Sequence, residues 1–186
     1  MLDRDKYIHF VQDIGEDNMI DHIDPNTISD IGDTLLAMGP KIVVVKMGKQ
    51  GLYLRTAPKE EFISFGRALS ANSDRWFNRE LWDPAFHTDP IRSTTGAGDT
   101  AIAGFLASFL RGDPPEIALE IASISASLCI GSYDTVSRIG KLSELDDFLE
   151  QELPKLTVRL NSEIWQRHIS DPVYSSIRDE KSKRWN

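Results

Sequence analysis

Hydrophobic and polar positions first fall into a regular pattern at residues 24–40, DPNTISDIGDTLLAMGP. The turn formers Asp24, Pro25 and Asn26 precede apolar residues at Ile28, Ile31, Leu35, Leu36 and Met38, and Gly39 and Pro40 close the run. This spacing predicts a short amphipathic helix with its start and stop signals in place. The next run, KIVVVKM, is continuous and β-branched, the composition of a strand buried on both faces. A helix, a tight link and such a strand predict an α/β layer with a parallel sheet. GKQG then turns the chain into LYLRT, so 43–56 reads as a strand pair, and EFISF reads as a further short strand. Residues 66–89 have no clean period and are read as a long ordered excursion, with Trp76, Phe77, Trp82 and Phe86 serving burial before anything else.

Helical period returns with Ile102, Phe105, Leu106, Phe109 and Leu110, while the small residues Ala101, Ala103, Gly104 and Ala107 suit close packing on a sheet. Gly112 stops this helix, and Pro114 and Pro115 begin another that runs to Gly131. Ser123, Ser125 and Ser127 are expected to bond back to the preceding turn of that second helix. SYDTVSRIG reads as a loop. Ser143 is expected to cap a third helix with Asp146 at its N3 position, ending at Pro154. Beyond it KLTVRL reads as a strand, and the polar terminus as poorly ordered. The implied division is a domain over 1–153 and an extension over 154–186.

Composition narrows the chemistry. With 186 residues, 40% hydrophobic and 27% charged, the chain suits one well-buried core. A net charge of −8 argues against a nucleic-acid partner, so any phosphorylated ligand has to be held by local features. The single cysteine, Cys129, permits no disulfide within the chain and fits a reducing cytoplasm. No apolar run has the length of a membrane span, and the four histidines lack zinc-site spacing, so neither a membrane partner nor a zinc site is expected.

The stretch with the clearest chemical content is STTGAGDT. A helix start leaves N–H groups without internal partners and carries partial positive charge. Gly96, Ala97 and Gly98 therefore can form an anion hole, with the glycines allowing close approach of a phosphate. Asp99 admits two readings: a carboxylate capping its own helix, or a base beside a hydroxyl that attacks the phosphate. No G-x-x-x-x-G-K-[ST] string is present, so a Walker-type site is not expected.

STTGAGDTAIAGFLASFLRG resembles the C-terminal signature of the ribokinase/PfkB family of carbohydrate kinases, D-T-x-G-A-G-D-x-F-x-x-G, matched here by Gly96, Ala97, Gly98, Asp99 and Gly104. VVVKMGKQGLYL resembles the family's buried strand and glycine turn. The resemblance implies the C-terminal, nucleotide-binding part of a ribokinase-like three-layer α/β/α fold, lacking the N-terminal part of the sheet and the β lid. It implies Asp99 as catalytic base, Gly96, Ala97 and Gly98 as the hole for the γ-phosphate of ATP, and Thr94 and Thr95 beside it. Lys46, Gly48 and Gly51 would lie near the nucleotide, and the helix over 116–130 with the loop beyond would line the adenine pocket, with Ser123 and Cys129 as candidate contacts. Magnesium would accompany ATP, and the acceptor would be a sugar-like small molecule. The sequence departs from the family at Ser93, where the signature begins with Asp, and at Asp134-Thr135, where Gly-Ala is usual.

These features imply ATP-dependent phosphorylation of a sugar hydroxyl by a longer kinase, with this chain weak or inactive alone. The alternative is a non-catalytic nucleotide-binding or interaction module that pairs with another chain, including a homo-oligomer, through the sheet edge a partial fold leaves bare. A pyridoxal- or hydroxymethylpyrimidine-type kinase of the same superfamily ranks lower.

Overall fold

A computed structural model describes residues 22–64, 73–168 and 171–179. Helix α1 (Pro25–Ala37) begins where the sequence signals it, with the Asp24 carboxylate accepting the Asn26 N–H at 3.0 Å and Pro25 in the first turn. Gly39, at φ 119°, lets the chain leave the helix toward β1 (Ile42–Lys46). A tight turn through Gly48–Gln50 leads to β2 (Leu52–Thr56). After a 3₁₀ stretch and the aromatic segment comes β3 (Glu80–Asp83). Two long helices follow, α2 (Ala97–Arg111) and α3 (Pro115–Ile130), then the short α4 (Leu142–Leu149). The last elements are β4 (Trp165–Gln166) and β5 (Tyr174–Ser176).

The five strands form one sheet in the order β1-β2-β3-β5-β4, and every pairing among the described residues is antiparallel. This corrects the expected parallel sheet. The GKQG turn folds β2 straight back on β1, with Val44 opposite Leu54 and Lys46 opposite Leu52, and so short a connection permits only an antiparallel pair. β1 is an edge strand, with Val43 buried, Ile42, Val44 and Val45 half-buried and Lys46 exposed, rather than one enclosed on both faces. The most enclosed strand is β2, whose Tyr53, Leu54 and Thr56 are fully buried.

Three layers result. On one face Leu52, Leu54 and Leu81 pack with Trp76 and with Phe105, Phe109, Leu119 and Ala122 of α2 and α3. On the other, Tyr53, Trp82 and Trp165 meet edge to face beside Ile28 of α1. This alternation along β2 and β3 is the period-two signature of a strand with two covered faces. Gly104 brings α2 onto α3, for a methyl group there would overlap the Ser125 hydroxyl. α4 adds Leu145 to a third cluster with Phe86, Ile121 and Ile124.

Several local expectations change. Residues 59–64 form 3₁₀ turns rather than a strand, with Glu61 N–H bonded to the carbonyl of Pro58 and the Phe62 ring tilted against that of Phe77, centroids 5.1 Å apart. The aperiodic segment contains β3, hidden because ELWD is buried at every position and so shows no alternation. Its part over 66–72 lies outside the described residues. α4 starts at Leu142, where Glu144 accepts the Lys141 N–H at 3.2 Å, instead of being capped by Ser143, and it ends at Leu149, short of Pro154.

Of the three α3 serines only Ser125 bonds back, to Ile121 O at 2.8 Å, while Ser123 and Ser127 reach across to other elements. KLTVRL is no strand. It makes a single bridge, Phe86 to Lys155, because the Lys155 side chain turns into the core to meet Asp83. The chain after Pro154 nonetheless belongs to the body, since β4 and β5 extend the sheet and Trp165 and Val173 are buried. The polar terminus, expected to be poorly ordered, falls on 180–186, outside the described residues.

Candidate active site

The run from β3 to α2 is fixed before it reaches the glycine turn. His87 N–H bonds to Pro154 O, the Thr88 and Ser127 hydroxyls meet at 2.6 Å, and Arg92 N–H bonds to Ile130 O at 2.7 Å. The chain therefore arrives pinned to the last turns of α3. Ser93 Oγ accepts the Thr95 N–H at 3.2 Å, and Gly96 then takes φ 80° to cap α2. Left-handed backbone of this kind is accessible to glycine at little cost.

This cap supplies no side chain. The N–H groups of Asp99 and Thr100 turn back to Gly96 O, and Ala97 makes one long bond to Thr94 O at 3.4 Å. Among the described residues the N–H groups of Gly96 and Gly98 find no acceptor. Asp99 lies at the third helical position with an exposed side chain, and none of the described hydrogen bonds involves its carboxylate. It does not cap its own helix. The simpler of the two sequence readings thus loses its geometric basis, and the carboxylate is left facing solvent beside uncapped amides.

Lys46 ends β1 at the same corner. A methyl group on Gly98 would stand 2.6 Å from its Nζ, so the ammonium rests against the first turn of α2. Among the described residues no carboxylate pairs with it. A cation held against the positive end of a helix is electrostatically costly alone and becomes favourable once an anion lies between them. From the opposite side, a methyl on Gly96 would overlap Thr135 Cγ2, and Cys129 donates its thiol to Thr95 O at 3.4 Å. β1, the glycine turn, the end of α3 and the following loop therefore converge here.

The structure brings together Lys46, Thr95, Gly96, Gly98, Asp99 and Cys129, with Ala97 and the exposed Thr94 in the same turn. Gly48, at φ 52°, has open space around it one turn from Lys46. Gly51 serves the hairpin: at φ 90° it lies so close to β3 that a methyl would overlap the Asp83 carbonyl oxygen. Ser123 is turned away, its hydroxyl donating to the buried Asp83 carboxylate. Burial raises the Asp83 carboxyl above its usual range, against the opposing effects of Lys155 and Ser123. Sequence reasoning missed Thr135 as a packing partner of Gly96 and the contact between Arg92 and Tyr133, because pairs so far apart in the chain leave no periodic trace.

The model of the pfkB family of carbohydrate kinases matches residues 15–142. The chain belongs to this family. Among curated relatives, 5-dehydro-2-deoxygluconokinase of Geobacillus kaustophilus is 31% identical over 111 residues, which are 60% of this chain and 27% of that protein. Ribokinase of Bacillus subtilis is 29% identical over 61% of this chain and 32% of its own length. Among solved structures, Arabidopsis thaliana ribokinase, complexed with ribose and ATP, superposes with a TM-score of 0.54 at 22% identity, covering 69% of this chain and 35% of that one. The chain thus spans about a quarter to a third of the relatives it matches, and its sheet is part of the ribokinase fold.

Proposed function

We propose that this chain carries the phosphate-binding and catalytic corner of an ATP-dependent kinase acting on a sugar-like hydroxyl. The observation that carries the reading is the free carboxylate of Asp99 beside the uncapped amides of Gly96 and Gly98, with the Lys46 ammonium against the same turn. Backbone dipoles fixed before the reaction stabilise charge on a transferring phosphoryl group without reorganising. In the proposed step Asp99 takes the proton of the acceptor hydroxyl while the hydroxyl oxygen bonds to the γ-phosphorus. The bond from that phosphorus to the bridging oxygen breaks, and ADP leaves. Names of the relatives, which include ribokinase and 5-dehydro-2-deoxygluconokinase, support a sugar acceptor.

Lys46 and the glycine amides suit a polyphosphate. Magnesium would come bound to the nucleotide, where it neutralises phosphate charge, and Asp99 is the carboxylate at this corner that could approach it. Thr94 and Thr95 offer exposed groups next to the same turn, and Gly48 lies near its rim. Spanning about a quarter to a third of its relatives, the 186-residue chain is expected to bind ATP but to turn over weakly alone. Calorimetry with ATP and magnesium, and a turnover assay over a panel of sugars, test both statements. In whatever longer or complemented form is active, Asp99→Asn should lower turnover by about two to four orders of magnitude while changing ATP affinity little. Near-normal turnover by that variant would remove Asp99 from the role of base.

A second reading, a nucleotide-binding module that pairs with another chain or copy, is favoured by one feature: β1 ends the sheet with its outer edge unpaired among the described residues. A stable assembly that binds ATP yet transfers no phosphate to any acceptor would favour it.

A further inference from the structure

Gly96 is held unequally on its two sides. On the helix side its carbonyl accepts the Asp99 and Thr100 N–H groups at 3.0 and 2.9 Å and the Thr100 hydroxyl at 3.1 Å. Its N–H lies across the N–Cα bond, one of the two soft rotations of a residue, and glycine populates both signs of φ readily. Rotation there re-aims the N–H and leaves the helix bonds intact. Among the described residues the one hydrogen bond on the Thr95–Gly96 peptide is the long one from the Cys129 thiol to Thr95 O, at 3.4 Å.

Packing supplies what hydrogen bonding does not. A methyl placed on Gly96 would overlap Thr135 Cγ2 and stand 3.0 Å from Thr135 Cβ and 3.8 Å from Cys129 Sγ. The Thr135 methyl therefore lies against Gly96 on the side its missing side chain leaves open. None of the described hydrogen bonds involves the Thr135 hydroxyl, so the contact is apolar. The loop behind it is closed by its own bonds. Ser132 donates its hydroxyl to Leu128 O at 2.9 Å, Asp134 accepts the Ser137 N–H at 2.8 Å, and Arg138 Nη1 donates to Gly131 O at 3.2 Å. Tyr133 accepts from Arg92 Nη1 at 2.8 Å, which ties the loop to the run entering the glycine turn. Thr135 also stands where Gly-Ala is usual, and neither of those residues has a γ-methyl, so the contact is particular to this chain.

We propose that Thr135 is a positioning residue whose methyl fixes the Thr95–Gly96 peptide, so that the Gly96 N–H is aimed at the phosphate position before any ligand binds. The proposal rests on the phosphate-site reading above and adds the side chain that sets its geometry. Thr135 touches no substrate in this role. Donors aimed in advance need no reorganisation when the anion arrives, and a site competent for only part of the time binds more weakly by that fraction.

The test is calorimetry on the full 186-residue chain with inorganic tripolyphosphate and with ATP, both with magnesium, using the wild type, Thr135→Ala and Thr135→Val. Alanine removes both γ atoms, and valine restores the methyl without the hydroxyl. Thr135→Ala is expected to weaken both ligands by about fivefold or more, and Thr135→Val to stay within about twofold of the wild type. The urea midpoints should coincide, and the Gly96 amide resonance of the ligand-free protein should move in the alanine variant and return in the valine one. An alanine variant that binds tripolyphosphate as the wild type does, or a valine variant as weak as alanine, overturns the positioning role and leaves the phosphate site standing. So does weakened binding with an unmoved Gly96 resonance or with a urea midpoint that falls in step. A wild type that binds neither ligand overturns the phosphate-site reading, and this proposal with it.

Discussion

The two edges of the sheet are built from opposite materials. Beyond β3 the sheet ends in the short strands β5 and β4, and this side is cross-linked by ion pairs whose carboxylates are buried. Arg79 bridges Asp179 and Glu116, Arg178 meets Glu80, and Lys155 meets Asp83. At the other edge β1 presents Val43, Val44 and Val45 without a charge or proline among them. There α2 packs Phe105 and Phe109 inward, in the cluster that Ile42 and Val44 border, and turns Leu106 and Leu110 to solvent. The candidate active site is at this second, open side, where β1 ends in Lys46 and α2 begins. Stability is concentrated at the closed edge and binding chemistry at the bare one, so substitutions at the two should separate cleanly.

The largest expected break is at the closed edge. Asp179 is fully buried, receives Arg79 Nε at 2.9 Å and accepts the Glu80 N–H at 2.8 Å. Removing one partner of a buried pair leaves the other charge uncompensated, so Asp179→Ala should cost about 3–5 kcal/mol in urea unfolding. A cost below about 1 kcal/mol would mean the closed edge is not held by charge. The affinity of the folded fraction for ATP should not change.

Acid should loosen the same edge. Burial alone would raise the Glu80 carboxyl, but hydrogen bonds from Arg178 and Ser176 outweigh it and hold it down, from an ordinary 4.5 to about 2. A carboxyl depressed by folding contributes stability that is complete above its unfolded value and lost as pH falls through its folded value. The window therefore runs from pH 4.5 down to about 2. Across it the wild type should lose about 2 kcal/mol more than Glu80→Gln. This is less than the full shift implies, because Arg178 is partly open to water. Asp83 acts in the opposite sense: its raised carboxyl favours the folded state at low pH, and that contribution fades as pH rises through its folded value. Parallel acid curves for wild type and Glu80→Gln would dissociate Glu80 from the effect.

The contrast between the edges also explains what could be read in advance. Signals carried by neighbours in the chain were legible: Asp24 and Pro25 opening α1, the GKQG hairpin, and Gly96 and Gly112 bounding α2. The glycine turn with Asp99 was legible for the same reason, because a helix start, its cap and its acidic residue are consecutive. The closed edge was not. Arg79 and Asp179 are 100 residues apart, and charged residues in a polar tail read as solvated until the fold buries them. β3 was hidden by burial on both faces, and Ser123 suggested a ligand contact because nothing local reveals the Asp83 carboxylate across the core.

The smallest effect should come at the open side, and it sharpens the contrast most. Leu106 and Leu110 are 48% and 67% exposed, so replacing both with glutamate removes little buried apolar area. Stability of the isolated chain should stay within about 0.5 kcal/mol of the wild type. If the bare edge is where another copy docks, the same variant should shift sedimentation toward monomer at concentrations where the wild type self-associates, because glutamates in an apolar contact are left desolvated and unpaired. A wild type that stays monomeric at every concentration would rule out copies of this chain as the cover. A double variant that loses more than about 1 kcal/mol would show that these leucines already belong to the core. In that case the division between a stabilising edge and a binding edge would fail on the side where the candidate active site lies.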